Sequence, residues 1–100
     1  MHWVKKINNI QGYKISLTFE DNVTKVVDLE NELWGEIFEP LKDLEYFKHV
    51  KVINDTIVWP NEADFSPNFL YNAGKEVKIE KQKTKPIKRS INRNRSKLKN

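Results

Sequence analysis

The stretch "YKISLTFEDNVTKVVDL", residues 13–29, alternates apolar and polar side chains with a period of two. This period predicts a half-buried β-strand followed by a second strand that returns along it. A three-residue loop places Ile15 opposite Val27, whereas a two-residue loop places it opposite Asp28 and mixes the two faces of the sheet. Asn22 tolerates the left-handed conformation that the longer loop needs. We therefore predict an antiparallel hairpin in the three-residue register.

Further strands are predicted on both sides of this hairpin. An earlier strand over residues 3–9 reaches it through a turn at Gln11 and Gly12, which gives a three-stranded meander. The later stretch "VKVINDTIVW" is typical of a second hairpin that turns at residues 54–55.

The stretch "LENELWGEIFEPLKDLEYFKHV" lies between the two hairpins. Its apolar residues are spaced by four, but Gly35 and Pro40 disfavour one continuous helix. We predict a helical turn over residues 30–34, an irregular step, and a short helix over residues 44–48 that Asp43 caps. The predicted fold class is therefore α+β: a small antiparallel sheet, made of the three-stranded meander plus a second hairpin, with short helices and a basic tail after it.

The stretch "WPNEADFSPNFLY" follows the second hairpin and predicts the end of a strand and the start of a helix. Trp59 falls in register with the aliphatic residues of that hairpin, so we expect it in the core rather than at a ligand site. Pro60 cannot donate to a ladder, so the strand is expected to end there. Ser66 is a favoured N-cap residue for a helix over residues 67–73. Structural roles are assigned to Trp59, Pro60, Asn61, Asp64, Phe65, Ser66 and Leu70.

Charge divides the chain into two parts. Residues 1–74 carry seven Lys/Arg and twelve Asp/Glu, a formal charge of −5, whereas residues 75–100 carry eleven and two, a charge of +9. We place the domain boundary at Gly74, between a compact α+β domain and a basic tail that is flexible or becomes helical on binding. The chain has no cysteine, no apolar run long enough to span a membrane and no signal-peptide core, so a cytoplasmic protein without disulfides is expected.

The segments "YKISLTFEDN", "VVDL", "FEPLKD", "FKHVKV", "IVWPNEAD" and "SPNFLY" occur in an order that resembles a small prokaryotic family, domain of unknown function twenty-four forty-two. The resemblance covers about residues 3–72, and its most specific part is the Trp-Pro-Asn step with the downstream Asp and Leu-Tyr. It implies a compact α+β domain with an antiparallel sheet and no catalytic residues. Some members occur beside a small toxin-like partner, or fused to a helix-turn-helix domain, and are regarded as antitoxin-like. This chain departs from the pattern at Asn22 and Glu62, where Gly is common, and in its basic tail.

The residue types that carry catalysis or bind metals are sparse. His2 and His49 are the only histidines, and neither belongs to a cluster with ligand spacing. Asp55, Glu62 and Asp64 surround the Trp-Pro turn, but nothing in the sequence indicates a desolvating pocket. We therefore expect no enzyme, no cofactor and no metal site.

A denser group of acids occupies residues 30–45. In the simplest interpretation these acids are the solvated face of short helices. In a second one they dock a basic protein partner such as a small toxin, because complementary charge speeds association. In a third they hold the basic tail of the same chain. The partner-binding candidates are Glu32, Glu36, Glu39 and Asp43.

The basic tail "KEVKIEKQKTKPIKRSINRNRSKLKN" admits two interpretations. It is either a solubilising disordered terminus or a nucleic-acid-binding segment, in which a helix starting at Pro86 has Ile87, Ile91 and Leu98 near one side. The nucleic-acid-binding candidates are Lys85, Lys88, Arg89, Arg93, Arg95, Lys97 and Lys99. A membrane surface is disfavoured because the aliphatic stripe is thin and contains no Trp or Phe.

These features predict a non-enzymatic binding and regulatory module, antitoxin-like, that binds a small protein partner while its basic tail contacts DNA, RNA or that partner. The alternative is a nucleic-acid-binding accessory protein whose tail contacts phosphates and whose body is a folded scaffold.

Overall fold

The computed structural model describes residues 2–77, and the structural statements below concern that part of the chain. Its strands are β1 (Val4–Gln11), β2 (Lys14–Phe19), β3 (Thr24–Asp28), β4 (Lys51–Ile53), β5 (Thr56–Val58), β6 (Asp64–Phe65) and β7 (Lys75–Glu76). Its helices are two 3-10 helices, Glu30–Glu32 and Glu36–Lys42, and two α-helices, α1 (Leu44–Phe47) and α2 (Pro67–Ala73). One sheet has the order β1-β2-β3-β7 and the other β4-β5-β6, with all pairs antiparallel, which confirms the α+β class.

The predicted register of the first hairpin is confirmed. Ile15 pairs with Val27, and Asn22 has a φ of 68° in the loop. Lys25 lies opposite the buried Leu17, but its ammonium group extends away from the core and donates to the carbonyl of Tyr71 at 2.7 Å. A lysine is therefore tolerated in this register because its amine has a partner outside the core.

The second hairpin turns where the sequence predicts. Asn54 and Asp55 have φ values of 52° and 68°, which is the backbone of a two-residue turn whose twist matches that of the strands. Val52 pairs with Ile57 in the predicted register.

The second strand of this hairpin ends before Pro60, as predicted, and the chain then turns back to form a third strand that the sequence did not indicate. The amide of Glu62 donates to the carbonyl of Trp59 at 2.8 Å, and the amide of Trp59 donates to the carbonyl of Ala63 at 2.9 Å. Glu62 has a φ of 72°, a left-handed conformation that glycine adopts most readily. The tight turn leads into β6, which pairs with β5.

A further strand lies beyond α2. Ser66 caps that helix by accepting from the amide of Phe69 at 3.1 Å, as predicted. Gly74 ends the helix in an extended conformation, and β7 then pairs with β3, so the ordered sheet continues past the boundary expected at Gly74. A Cβ added to Gly74 would lie 2.9 Å from the Cβ of Lys25 and 3.1 Å from a methyl of Val27. Glycine is therefore needed here for close approach rather than for a left-handed φ.

The core lies between the two sheets and α2. The buried apolar residues are Val4, Ile15, Leu17, Phe19, Val27, Leu29, Leu33, Leu41, Phe47, Val50, Ile57, Trp59, Ala63 and Leu70. Trp59 is 2% exposed, and its indole N–H donates to the carbonyl of Phe47 at 2.9 Å. The prediction that Trp59 belongs to the core is confirmed, and its one polar atom is satisfied.

Candidate docking surface

Residues 30–45, here called the acidic segment, cross the body as two 3-10 helices and the start of α1. The expected irregular step is the second 3-10 helix, which begins after Gly35 (φ 95°) and contains Pro40. Asp43 caps α1 as predicted, because its carboxylate accepts from the amide of Glu45 at 3.0 Å. Short helices of this kind keep the segment close to the body, with the side chains of Leu33 and Leu41 buried beneath it.

Two hydrogen bonds tie the backbone of the acidic segment to the two hairpins. The Tyr13 hydroxyl donates to the carbonyl of Lys42, and the Asn61 side-chain amide donates to the carbonyl of Ile37 at 2.9 Å. Asn61 also accepts from the amide of Ala63 at 3.1 Å, so one side chain holds both the Trp-Pro turn and the acidic segment. The backbone of the acidic segment is therefore fixed by contacts within the domain, and a fixed backbone lowers the entropic cost of any binding there.

Three large apolar side chains of the acidic segment point to solvent. Trp34 is 73% exposed, Ile37 is 51% exposed and Leu44 is 45% exposed. No sequence pattern singles out Trp34, which lies next to Gly35 and outside the four-residue spacing of the apolar residues Leu29, Leu33, Ile37 and Leu41. An exposed tryptophan on a fixed backbone is a common energetic centre of protein interfaces.

The negative charge of the body is concentrated in the acidic segment. Residues 2–77 carry eight Lys/Arg and thirteen Asp/Glu, a formal charge of −5. The acidic segment alone carries six acids and one lysine, which is also −5, so the other sixty described residues are formally neutral. The electrostatic field of residues 2–77 therefore attracts cations towards the acidic segment.

The four predicted partner-binding acids all lie in the acidic segment but differ in their contacts. Glu36 is exposed and Glu32 is half-buried, and neither forms an ion pair within residues 2–77. Glu39 pairs with Lys42 at 3.0 Å, and Asp43 serves as the cap of α1. Of these four acids, Glu32 and Glu36 are thus the ones without an ion pair or a capping role within residues 2–77.

An open groove of about 410 Å³ lies beside the acidic segment. It is lined by Gln11, Gly12, Tyr13, Lys14, Asp28, Glu30 and Leu44. Two acids and one lysine line the groove, so it has a net negative formal charge. It extends from the acidic segment to the turn between β1 and β2.

A second polar cluster surrounds Tyr71, and no sequence motif indicates it. The His2 ring stacks on Tyr71 with centroids 3.5 Å apart, and the Lys25 ammonium lies 3.8 Å from the same ring centre, so the two must lie on opposite faces. The pKa of the Asp21 carboxyl is lowered because it accepts from the amide of Val23 at 3.0 Å and from the Tyr71 hydroxyl at 2.8 Å, with His2 nearby. The same hydrogen bond raises the pKa of Tyr71. This cluster fastens the start of the chain to α2.

The remaining candidates are dispersed or fall outside the described structure. Asp55, Glu62 and Asp64 are exposed, and residues 2–77 contain no group of three or more His, Cys, Asp or Glu arranged to hold a metal ion. No helix in the same range has the length and apolar character needed to cross a membrane. The predicted nucleic-acid-binding residues Lys85, Lys88, Arg89, Arg93, Arg95, Lys97 and Lys99 lie beyond residue 77 and outside the described part.

Comparison with known proteins gives one match. The family model described as "Protein of unknown function (DUF2442)" matches residues 4–76, which confirms the resemblance noted in the sequence and extends it through β7. No curated protein matches the chain, and no solved structure matches it.

Proposed function

The chain belongs to this family of unknown function, DUF2442, and on that premise we propose that it is a non-enzymatic binding module whose acidic segment docks a small basic protein. The observation that carries the proposal is Trp34, which is 73% exposed in the segment that holds all of the body's excess negative charge. A partner with a basic rim around an apolar pocket matches both properties. The charges speed association and the indole supplies contact area.

An antitoxin-like regulatory role in the cytoplasm is the most specific form of this proposal. Toxins that act on RNA or DNA present basic surfaces, and an acidic docking surface would cover such a surface in place of the nucleic acid. Support comes from the charge of the acidic segment, and the resemblance noted in the sequence implies the same role.

Site-specific photo-crosslinking in the native host tests the docking proposal. Benzoylphenylalanine in place of Ile37, which is 51% exposed beside Trp34, is compared with the same residue in place of Ile53, which is 45% exposed on β4. We expect position 37 to form an adduct with a basic protein that position 53 does not form, and we expect Glu32→Lys with Glu36→Lys to reduce it. Equal adducts from both positions, or adducts only with acidic proteins, would refute the docking role.

The second candidate function is nucleic-acid binding by the residues beyond Val77. The favouring observation is charge, since residues 78–100 carry ten Lys/Arg and one acid. Five to seven phosphate contacts give a slope of log K on log salt of about −4.5 to −6 on duplex DNA. Full-length protein that is not retained on duplex DNA or RNA at low salt would exclude this function. Deletion of residues 78–100, which spares β7, is expected to abolish any retention that is observed.

A further inference from the structure

Two segments of this chain carry opposite charges in excess. Residues 78–100, here called the basic segment, have a formal charge of +9, and the acidic segment has −5, while the other described residues are neutral. We propose that in the free protein the basic segment docks on the acidic segment, so that the chain covers its own docking surface until a partner displaces it. Only the regulatory consequence, the covering of a partner-docking surface, rests on the proposed function. The contact between the two segments is argued separately, from their charges, their apolar residues and the length of the basic segment.

The apolar residues of the two segments are also matched. Trp34, Ile37 and Leu44 are exposed on the acidic segment. In the sequence of the basic segment, the spacing of Ile87 and Leu98 places both near one side of a helix that starts at Pro86, with lysine and arginine around the rest. Such a helix would lay an aliphatic stripe on the exposed indole while its cations meet the surrounding acids.

The length of the basic segment allows this contact. The amide of Val77 donates to the carbonyl of Thr24, so the chain leaves the sheet at the end of β3 that is remote from the acidic segment. The distance along β3 from Thr24 to Asp28, which lies next to the start of the acidic segment, is about 14 Å. The basic segment has 23 residues and spans up to about 75 Å when extended, so its first few residues suffice as a linker.

Tethering makes a weak contact sufficient. A short flexible linker gives an effective concentration of the order of millimolar, so an intrinsic affinity of the same order leaves the surface covered about half of the time. A partner with micromolar affinity still displaces the basic segment, with its apparent affinity reduced by the covered fraction. Because the contact is largely electrostatic and exposed, salt is expected to weaken it.

Paramagnetic relaxation tests the proposal on the full-length chain. The chain has no cysteine, so Ser96→Cys provides a single site for a nitroxide label. At low salt we expect the label to cause loss of the amide signals of the acidic segment and of the Trp34 indole signal, and to leave the amide of Ile53 unchanged. At about 1 M salt, where the Debye length is about 3 Å, the lost signals are expected to recover.

Two charge reversals serve as matched variants. Glu36→Lys is expected to restore the Trp34 signal at low salt, whereas Glu20→Lys, in the loop that follows β2, changes the net charge equally and is expected to leave the signal loss in place. Retention of all signals of the acidic segment at low salt, or equal loss across the whole body, overturns the proposal. Signal loss in unlabelled protein mixed with labelled protein would assign the contact to a second copy and also overturn it. The partner-docking role is tested separately by crosslinking, so either idea can fail while the other stands.

Discussion

Trp59 and Trp34 are the same side chain in two opposite settings. Trp59 is 2% exposed, packs at 5.3 Å from the Phe47 ring and donates its indole N–H to the Phe47 carbonyl. Trp34 is 73% exposed on a backbone that the neighbouring hairpins hold in place. The region around Trp59 thus maintains the fold, and the region around Trp34 presents a large apolar side chain that the fold does not need. The comparison separates the residues expected to affect stability from those expected to affect binding.

The largest expected effect is the loss of unfolding free energy when Trp59 is removed from the core. Trp59→Ala removes a fully packed side chain and leaves a cavity, which costs about 3 to 5 kcal/mol of unfolding free energy. That loss is a large fraction of the stability of a domain of this size. Trp34→Ala, the matched control on the surface, is expected to change stability by less than about 0.5 kcal/mol. Chemical denaturation of both variants measures the difference, and similar losses for the two would contradict the assignment of Trp59 to the core and Trp34 to the surface.

An intermediate effect is expected at Gly74, where α2 meets the first sheet. Gly74→Ala introduces a methyl group 2.9 Å from the Cβ of Lys25, an atom fixed to the backbone of β3. The resulting shift of α2 against β3 is expected to cost about 1 to 3 kcal/mol. Ala73→Gly in the same turn, which adds no atom, provides the control for helix propensity and is expected to cost at most about 1 kcal/mol. Thermal unfolding curves compare them, and a Gly74→Ala variant as stable as the parent would show that the contact relaxes freely.

The smallest expected effect concerns the cluster around Tyr71. Tyr71→Phe removes one hydrogen bond to Asp21, so the pKa of that carboxyl is expected to rise, as a carbon-detected NMR titration would show. A lowered folded-state pKa contributes stability above the unfolded value of about 4, and this contribution is lost as the pH falls through the folded pKa. The variant is therefore expected to lose less stability on acidification than the parent does.

A distant tyrosine controls for the loss of a hydroxyl in general. Tyr46→Phe removes the hydroxyl of a half-buried ring in α1. Within residues 2–77, Tyr46 forms no hydrogen bond with Asp21 and no aromatic pair with Tyr71. The variant is expected to leave the titration of Asp21 unchanged. An Asp21 pKa that stays the same in Tyr71→Phe would show that the Tyr71 hydroxyl does not contribute and that the other contacts, chiefly the amide of Val23, lower it.

The elements that the sequence predicted are those whose pattern is local. The alternation around Ile15 and Val27 determined the first register, the pair Asn54 and Asp55 marked the second turn, and Ser66 marked the start of α2. Each signal is contained within a few neighbouring residues, so no knowledge of the tertiary structure was needed.

The elements that the sequence did not predict depend on distant partners. β6 and β7 have two residues each, too few for any periodicity, and exist because β5 and β3 offer open edges. The exposure of Trp34 likewise depends on which side of the acidic segment packs on the rest of the domain. Apolar residues spaced by four do not determine that side in a segment built of 3-10 helices. The acids of the proposed docking surface therefore follow from the sequence, whereas its tryptophan is indicated only by the structure.

The most direct test of Trp34 as the centre of a docking surface is the crosslinking yield of the Trp34→Ala variant in the native host. This variant carries benzoylphenylalanine in place of Ile37, and its unfolding free energy is measured as well. We expect the adduct with a basic protein to be lost while the unfolding free energy changes by less than about 0.5 kcal/mol. An adduct of undiminished yield would contradict the claim that Trp34 is the centre of a docking surface, and so would a loss of adduct accompanied by unfolding.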